Sequence, residues 1–191
     1  MGNKDKRFEK TEYLIKSTFF EMVKNNKKIT VSEIAKKANI DRKTFYLHYE
    51  TVESLYRVFM SDAENLLIEE LERLDFYQSG DTIKTFVQAY RKVFISFRDL
   101  FYAINNNSQF IDYIEFNNTE LMPYLTKYLS RNKNKKELEK EALYDRFFFD
   151  GLVKFQQRFI RGELKLTLDE YFLEIEKIAR TFAGLYSKRI K

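Results

Sequence analysis

The chain has no cysteine and no tryptophan, and its 191 residues include only five glycines, one proline and one histidine. Without cysteine there is no disulfide, no thiolate nucleophile and no zinc–cysteine site. A single histidine also rules out a metal site built from several histidines, so we expect neither a metal nor another cofactor. Because glycine and proline are the residues that most often interrupt helices, their scarcity favours long helices with few tight turns.

Long apolar runs are also missing, since no stretch approaches the 18 residues that a membrane-spanning helix needs. The N-terminal sequence MGNKDKRFEK is basic but is not followed by the apolar segment of a secretory signal. Together with the absence of cysteine, these features lead us to expect a cytoplasmic protein that makes no use of a membrane.

The sequence also lacks the common signatures of catalysis. It has no glycine-rich phosphate loop and no H-E-x-x-H motif. Neighbouring carboxylates such as Glu69 with Glu70 and Asp169 with Glu170 fall on helix surfaces, where solvated charge is the expected role. We therefore expect no enzymatic activity.

The positive charge is confined to one end of the chain. Residues 1–50 hold 12 Lys and Arg against 7 Asp and Glu, whereas residues 51–191 hold 22 of each, so the first segment carries the whole net charge of +5. A localised basic segment beside a neutral remainder is what binding to a phosphate backbone requires, although a solvated basic face is also common.

Apolar residues recur at helical spacing almost throughout, and the alternation typical of strands is absent. This pattern predicts an all-α protein of about nine helices. The expected helices cover approximately residues 8–24, 31–38, 42–49, 52–74, 82–105, 109–116, 120–130, 137–161 and 168–188.

Residues 30–49, TVSEIAKKANIDRKTFYLHY, have the spacing of a helix-turn-helix. Thr30 and Glu33 form a capping box at the start of the first of its two helices. Asn39 ends that helix, because asparagine tolerates the left-handed backbone conformation of a tight turn. Asp41 then caps the second helix, which in this motif enters the major groove.

The two faces of that second helix differ in chemistry. Phe45 and Tyr49 lie four residues apart and are expected to point inward, where Ile40 joins them. The outer and leading surface is left with cations and hydrogen-bonding groups: Arg42, Lys43, Thr44, Tyr46 and His48.

The stretch from Thr30 to Leu55 resembles the DNA-binding head of the TetR family of transcriptional regulators. The residues that match its pattern outright are Thr30, Val31, Ile34, Ala35, Ala38, Thr44, Phe45, Tyr46 and Leu55. The chain departs from the pattern in four places. Asn39 replaces the usual turn glycine, Asp41 replaces a capping serine, Lys43 stands where a small residue is frequent, and Val52 replaces a lysine that commonly binds phosphate.

The resemblance implies a DNA-binding domain over residues 1–51 and an all-helical ligand-binding and dimerisation domain over 52–191. It also implies a double-stranded DNA operator as partner. Phosphate contacts are then expected from Thr30, Thr44, Tyr46 and His48, and contacts to base edges from Arg42, Lys43 and Leu47.

The resemblance further implies a pocket for a small apolar molecule in the second domain. Candidate lining residues are Phe86, Tyr90, Phe94, Phe101, Tyr113 and Phe148. Aromatic residues at helical spacing more often form the core, and an A/T-rich genome would raise the content of phenylalanine and tyrosine without any functional cause.

Dimerisation has support from the residues themselves. The segment 142–160 is apolar on more than one side, so it needs a partner in its own subunit and another elsewhere. Gly151 within it suggests close approach of another helix. The expected isologous interface comprises Phe149, Leu152, Val153, Gln156, Ile175, Ile178 and Phe182. The run F-x-x-G-L-V…F-I-R-G…L-T-L-D-E also resembles the C-terminal region of a TetR subgroup frequent in low-GC Gram-positive bacteria.

Two functions fit these expectations. The first is a ligand-responsive repressor that binds a near-palindromic operator as a homodimer. The second is a TetR-like coactivator or adaptor that works through protein partners and has no small-molecule inducer. A core filled solid in the second domain favours the adaptor.

Overall fold

The computed structural model describes residues 3–25, 28–107, 109–110, 121–129 and 135–187. Within these ranges the chain forms nine α-helices, one short 3₁₀ helix and no strand, which confirms the all-α prediction. The helices are α1 (Asn3–Lys24), α2 (Val31–Lys37), α3 (Arg42–Tyr46), α4 (Val52–Arg73), α5 (Thr82–Ser96), α6 (Arg98–Asn105), α7 (Leu121–Leu129), α8 (Lys135–Ile160) and α9 (Leu168–Ser187). The 3₁₀ helix is Phe76–Gln78.

The described residues pack into two units. The first lies within Met1–Met60 and Asp99–Tyr113, and the second within Ser61–Arg98 and Ile114–Lys191. The predicted division after residue 51 separates two functions and stays a prediction. By packing alone, the first unit extends into α4 and includes α6.

The first unit is built around aromatic and branched side chains from α1, α2, α3 and α4. Phe19, Ile34, Phe45 and Leu55 are completely buried. Phe110, which follows α6, is equally buried and lies edge-on to Phe19, with 5.6 Å between the ring centroids. The core of the first unit is therefore completed by a residue 80 positions away in the sequence from Thr30.

The second unit places α9 against α5 and α8. Tyr171 of α9 is completely buried and stacks on Phe159 of α8, with 4.2 Å between the ring centroids. Phe94 of α5 packs against both rings. Thr167 and Glu170 form the predicted capping box of α9, because each backbone N–H bonds the other's side chain. Gly162 ends α8 with a φ of 71°, as predicted for a helix stop.

Several helix boundaries differ from the predicted ones. The single helix expected over 82–105 is interrupted at Phe97, which separates α5 from α6. No glycine or proline at the break indicates it in the sequence. Residues 109 and 110 lie in a turn, and the rest of the helix expected over 109–116 lies outside the described residues. The third helix stops at Tyr46 instead of Tyr49.

Candidate functional site

The start of α2 is fixed by a side-chain cap. Thr30 has an extended backbone, and its hydroxyl oxygen accepts a hydrogen bond from the backbone N–H of Glu33 at 3.2 Å. In the other direction, the Thr30 hydroxyl itself donates to the Glu33 carboxylate at 2.9 Å. The predicted capping box is thus present with one change, because its return bond comes from the hydroxyl and not from the backbone N–H of Thr30.

The turn between α2 and α3 has the predicted conformation. Asn39 adopts a positive φ of 54°, in the left-handed region that asparagine tolerates best after glycine. The backbone N–H of Ile40 then donates to the carbonyl oxygen of Ala35 at 3.0 Å. This bond closes the turn and sets the direction in which α3 leaves it.

The start of α3 is held by Asp41. Its carboxylate accepts a hydrogen bond from the backbone N–H of Thr44 at 2.6 Å, as expected for an N-cap. That bond stabilises the charged form, so the pKa of the Asp41 carboxyl lies below its usual value. The carboxylate is therefore engaged with the helix backbone and does not face a ligand as a free charge.

The inner face of α3 is anchored by aromatic packing. Phe45 is fully buried, and its ring contacts those of Tyr46 and Tyr49 at centroid distances of 5.8 and 5.9 Å. The phenol of Tyr49 donates to the Glu12 carboxylate of α1 at 3.2 Å. These contacts hold a helix of only five residues in a fixed orientation.

The outer face of α3 is open to solvent. Arg42 and Lys43 are exposed, Tyr46 is 49% exposed and Leu47 is 76% exposed. Thr44, on the same helix, is half-buried. The side chains expected to approach DNA thus form one ridge, which we call the outer ridge: Arg42, Lys43, Thr44, Tyr46 and Leu47. Thr30, at the start of α2, is also half-buried.

His48 has a different environment from that of the outer ridge. Its ring stacks on Phe8 of α1 with 3.9 Å between the centroids, and its Nδ1 is buried without a hydrogen-bond partner. Burial lowers the pKa of His48 below its ordinary value of 6.5, although the Coulombic effect of Glu12 acts in the opposite direction. The neutral imidazole is therefore the favoured form in the folded chain.

Sequence reasoning missed one residue that positions this motif, Gln109. The backbone N–H of Ile29 donates to Oε1 of Gln109 at 2.8 Å, and Nε2 of Gln109 donates to the carbonyl oxygen of Ile29 at 3.0 Å. This pair of bonds, the Gln109 clamp, satisfies both backbone groups of the residue just before the Thr30 cap. A glutamine 80 positions away leaves no local pattern that would have revealed it.

The second unit contains an apolar cavity of about 200 Å³. Its walls come from the 3₁₀ helix, α5, α7, α8 and α9. The lining residues are Phe76, Thr82, Ile83, Phe86, Leu125, Asp145, Phe148, Phe149, Ala179, Phe182 and Ala183.

A second cavity, of about 190 Å³, lies between α8 and α9. It is lined by Phe147, Phe148, Gly151, Leu152, Phe155, Ile175, Ile178 and Phe182. Around it the chain exposes large apolar side chains, because Phe147 is 72% and Ile178 47% exposed. Gly151 has no atom within 4 Å of the position a Cβ would take, so no contact inside the described chain accounts for this glycine.

Comparison with solved structures finds a similar fold that extends over nearly the whole chain. The crystal structure of a TetR transcriptional regulator from Streptococcus agalactiae 2603V superposes with a TM-score of 0.56, covering 92% of this chain and 96% of that one at 18% sequence identity. The chain has the fold of a TetR regulator. No protein-family model and no curated protein matches it.

Within the TetR-regulator fold, the residues expected to line a pocket are scattered. Phe86 and Phe148 line the larger cavity. Tyr90 and Phe94 are buried in the core of the second unit and line neither of the two cavities, and the phenol of Tyr90 donates to the side-chain oxygen of Gln156. Phe101 is buried in the first unit, on α6. Tyr113 lies outside the described residues.

The residues expected at a dimer interface are also divided. Phe149, Leu152 and Ile175 are buried within their own unit. Gln156 is engaged by Tyr90, and Val153 is half-buried. Four of the expected residues also line the cavity between α8 and α9: Leu152, Ile175, Ile178 and Phe182. None of the helices in the described part of the chain has both the length and the apolar character needed to cross a membrane.

Proposed function

We propose that the chain is a sequence-specific DNA-binding transcriptional regulator, and that it acts as a ligand-responsive repressor in the form of a homodimer. The observation that carries this proposal is the outer ridge: an exposed cationic and hydroxyl-bearing surface on a short helix whose start is capped by Asp41 and whose inner face is anchored by Phe45. The TetR-regulator fold and the basic character of residues 1–50 support it.

The proposed division of labour follows from chemistry and position. Arg42 and Lys43 present donors that suit guanine O6 and N7, and Leu47 offers an apolar contact to base edges. Thr30, Thr44 and Tyr46 present hydroxyl groups for phosphate oxygens, which fix register. His48 is the remaining proposed phosphate contact, and because its Nδ1 is buried the contact would come from Nε2.

Homodimerisation is proposed through α8 and α9. Phe147 and Ile178 leave a large apolar surface exposed beside the cavity at Gly151, and a second copy of the same surface would bury it in an isologous four-helix arrangement. Two recognition helices ~34–36 Å apart would then meet successive major grooves on one side of the DNA.

Ligand response is proposed through the second unit. The larger cavity favours a ligand-responsive regulator over an adaptor, because an adaptor needs no space for a small molecule. A ligand that binds the cavity more tightly in one conformation shifts the population towards it, and a conformation with the wrong spacing of recognition helices releases DNA.

The proposal is tested by selecting bound sequences from random duplex DNA and measuring affinity for the selected operator by fluorescence anisotropy. Affinity should fall steeply with added salt, since counterions are released on binding. Tyr46→Ala should abolish binding while leaving the oligomeric state unchanged. Tyr13→Ala is the matched control, because Tyr13 is 71% exposed on α1 but does not belong to the outer ridge. Full affinity in Tyr46→Ala would refute the site.

A further inference from the structure

The first turns of α1 lie against the residues that follow α3. The ring of Phe8 stacks on that of His48, with 3.9 Å between the centroids and 24° between the ring planes. One turn further along α1, the Glu12 carboxylate accepts a hydrogen bond from the phenol of Tyr49 at 3.2 Å. Because Phe8 and Glu12 are four residues apart, they lie on the same face of α1. His48 directly follows Leu47, the last member of the outer ridge, so this part of α1 continues the surface that the ridge begins.

The two sides of this face of α1 carry opposite charges. Successive residues of an α-helix are about 100° apart, so Arg7 and Glu9 lie on opposite sides of Phe8. Lys16 shares the side of Glu9, and its Nζ lies 5.9 Å from the centroid of the Phe59 ring of α4. The side that carries Glu9 is therefore turned towards α4, and Arg7 lies on the side that is turned away from it.

The chemistry around Arg7 suits an anionic partner. Arg7 is exposed. The charge of the Glu12 carboxylate is compensated within the protein, because Nζ of Lys16 lies 3.7 Å from it. A guanidinium presents its N–H donors in a rigid fork that matches two phosphate oxygens. Arg7 also immediately precedes the residue that stacks on His48, which is itself a proposed phosphate contact.

We propose that Arg7 binds the phosphate backbone of duplex DNA next to the phosphate that His48 contacts, and that Phe8 positions Arg7 by stacking on the imidazole. The inference rests on the proposed DNA-binding function and adds to it a contact from α1, outside the helix-turn-helix. Since phosphate is common to every sequence, Arg7 contributes affinity and leaves the choice of sequence to Arg42 and Lys43.

The test compares two variants that each remove one positive charge from α1. Arg7→Gln removes the proposed contact, and Lys10→Gln is the matched control, because Lys10 is exposed and lies about 160° around the helix from Phe8. Affinity for the selected operator is measured by anisotropy over a range of salt concentrations. The slope of log affinity against log salt should become shallower by about 0.9 for each bound subunit in Arg7→Gln and stay unchanged in Lys10→Gln.

This comparison separates a contact from general attraction. A change in Lys10→Gln as large as that in Arg7→Gln would mean that any cation of α1 attracts DNA equally, and it overturns the inference. An unchanged slope in Arg7→Gln also overturns it. Arg7→Lys keeps the charge and should retain most of the salt dependence.

The effect of Arg7 should be independent of DNA sequence. At about 0.1 M salt, Arg7→Gln should weaken binding about eightfold per bound subunit, both to the selected operator and to a duplex of random sequence. A loss confined to the operator would make Arg7 a base-reading residue and overturn the assignment to phosphate. Glu9→Gln should change affinity less than about twofold. A gain in Glu9→Gln larger than the loss in Arg7→Gln would place the other side of α1 against the DNA and overturn the inference.

A double-mutant cycle tests the positioning role of Phe8. If stacking on His48 holds Arg7 at the DNA, Arg7→Gln should have little further effect on the salt slope in a Phe8→Ala background, whereas it has its full effect in the wild type. Additive changes in slope overturn the positioning role. Circular dichroism verifies that each variant is folded, and Phe8→Leu, which keeps apolar bulk and removes the aromatic ring, serves as a second background.

The same measurements distinguish this inference from the proposed function. If Tyr46→Ala abolishes operator binding and Arg7→Gln behaves like Lys10→Gln, the outer ridge stands and the α1 contact is overturned. If Tyr46→Ala retains full affinity while Arg7→Gln loses affinity and salt dependence, the outer ridge is wrong and the α1 contact stands. A wild-type protein that binds no duplex overturns both.

Discussion

The Gln109 clamp gives a prediction whose size can be worked from its geometry. Gln109→Ala removes the acceptor for the Ile29 N–H and the donor for the Ile29 carbonyl, which are bonded at 2.8 and 3.0 Å and are partly buried. Leaving a buried backbone group without its hydrogen-bond partner lowers the free energy of unfolding by about 1–3 kcal/mol, and because both groups are partly exposed their cost lies at the low end of this range. The loss is therefore about 2 kcal/mol for the pair.

This cost should appear locally, at the entrance to α2. The amide hydrogen of Ile29 is protected from exchange by the bond to Gln109, and a loss of about 2 kcal/mol corresponds to ~30-fold faster exchange. The measurement is amide hydrogen exchange by NMR on the full-length protein. Operator affinity should also fall, because Ile29 directly precedes the Thr30 cap and the clamp fixes where α2 begins.

Two further variants make the measurement decisive. Gln88→Ala replaces an exposed glutamine on α5 in the second unit and should leave exchange at Ile29 unchanged. Gln109→Glu keeps an acceptor for the Ile29 N–H but loses the donor to its carbonyl, so at neutral pH it should not restore wild-type stability. If Ile29 exchanges at the wild-type rate in Gln109→Ala, the clamp does not hold the start of α2.

Three other outcomes are expected. The pKa of the single histidine, measured by NMR, should lie below 6.5, and Phe8→Ala should move it back towards that value. Because the folded-state pKa is the lower one, His48 contributes stability above pH 6.5 that is lost as pH falls through the folded-state pKa. A pKa above 6.5 would contradict the stacked, half-buried ring. Thr30→Ala should lower the free energy of unfolding by about 1 kcal/mol in chemical denaturation, whereas Thr30→Ser should restore most of it. Phe147→Asp should shift the sedimentation coefficient from dimer to monomer, and a dimer that persists would move the interface away from the exposed face of α8.

The helix-turn-helix could be predicted closely because local chemistry determines it. Thr30, Asn39 and Asp41 each act within a few residues of their own position, through a cap or a left-handed turn, and the structure shows all three in those roles. The inward direction of Phe45 follows from helical periodicity alone, and it is fully buried. Such features can be predicted from the sequence because the groups that they bond lie within a few residues of them.

The features that could not be predicted depend on contacts between residues that are distant in the sequence. The break at Phe97 has no glycine or proline to announce it. The sequence also does not distinguish Phe86, which lines the larger cavity, from Phe94, which lies two turns further along the same helix and does not line it. Both have the same hydropathy and the same helical spacing, so only the identity of the facing residues separates them.

The predicted domain boundary after residue 51 differs from the boundary of the packed unit, and Phe110 shows why. Its ring is completely buried, stacks on Tyr56 at 5.5 Å and meets Phe19 edge-on at 5.6 Å. Burying a phenylalanine contributes about 1.5–3 kcal/mol, a large share of the stability of a small helical unit. Phe110 contacts α1 and α4 of the unit that also contains α3, so a change in its packing alters the core of the unit that carries the outer ridge. The segment that completes this core therefore belongs to the machinery proposed to bind DNA, although it lies outside the motif by which that machinery is recognised.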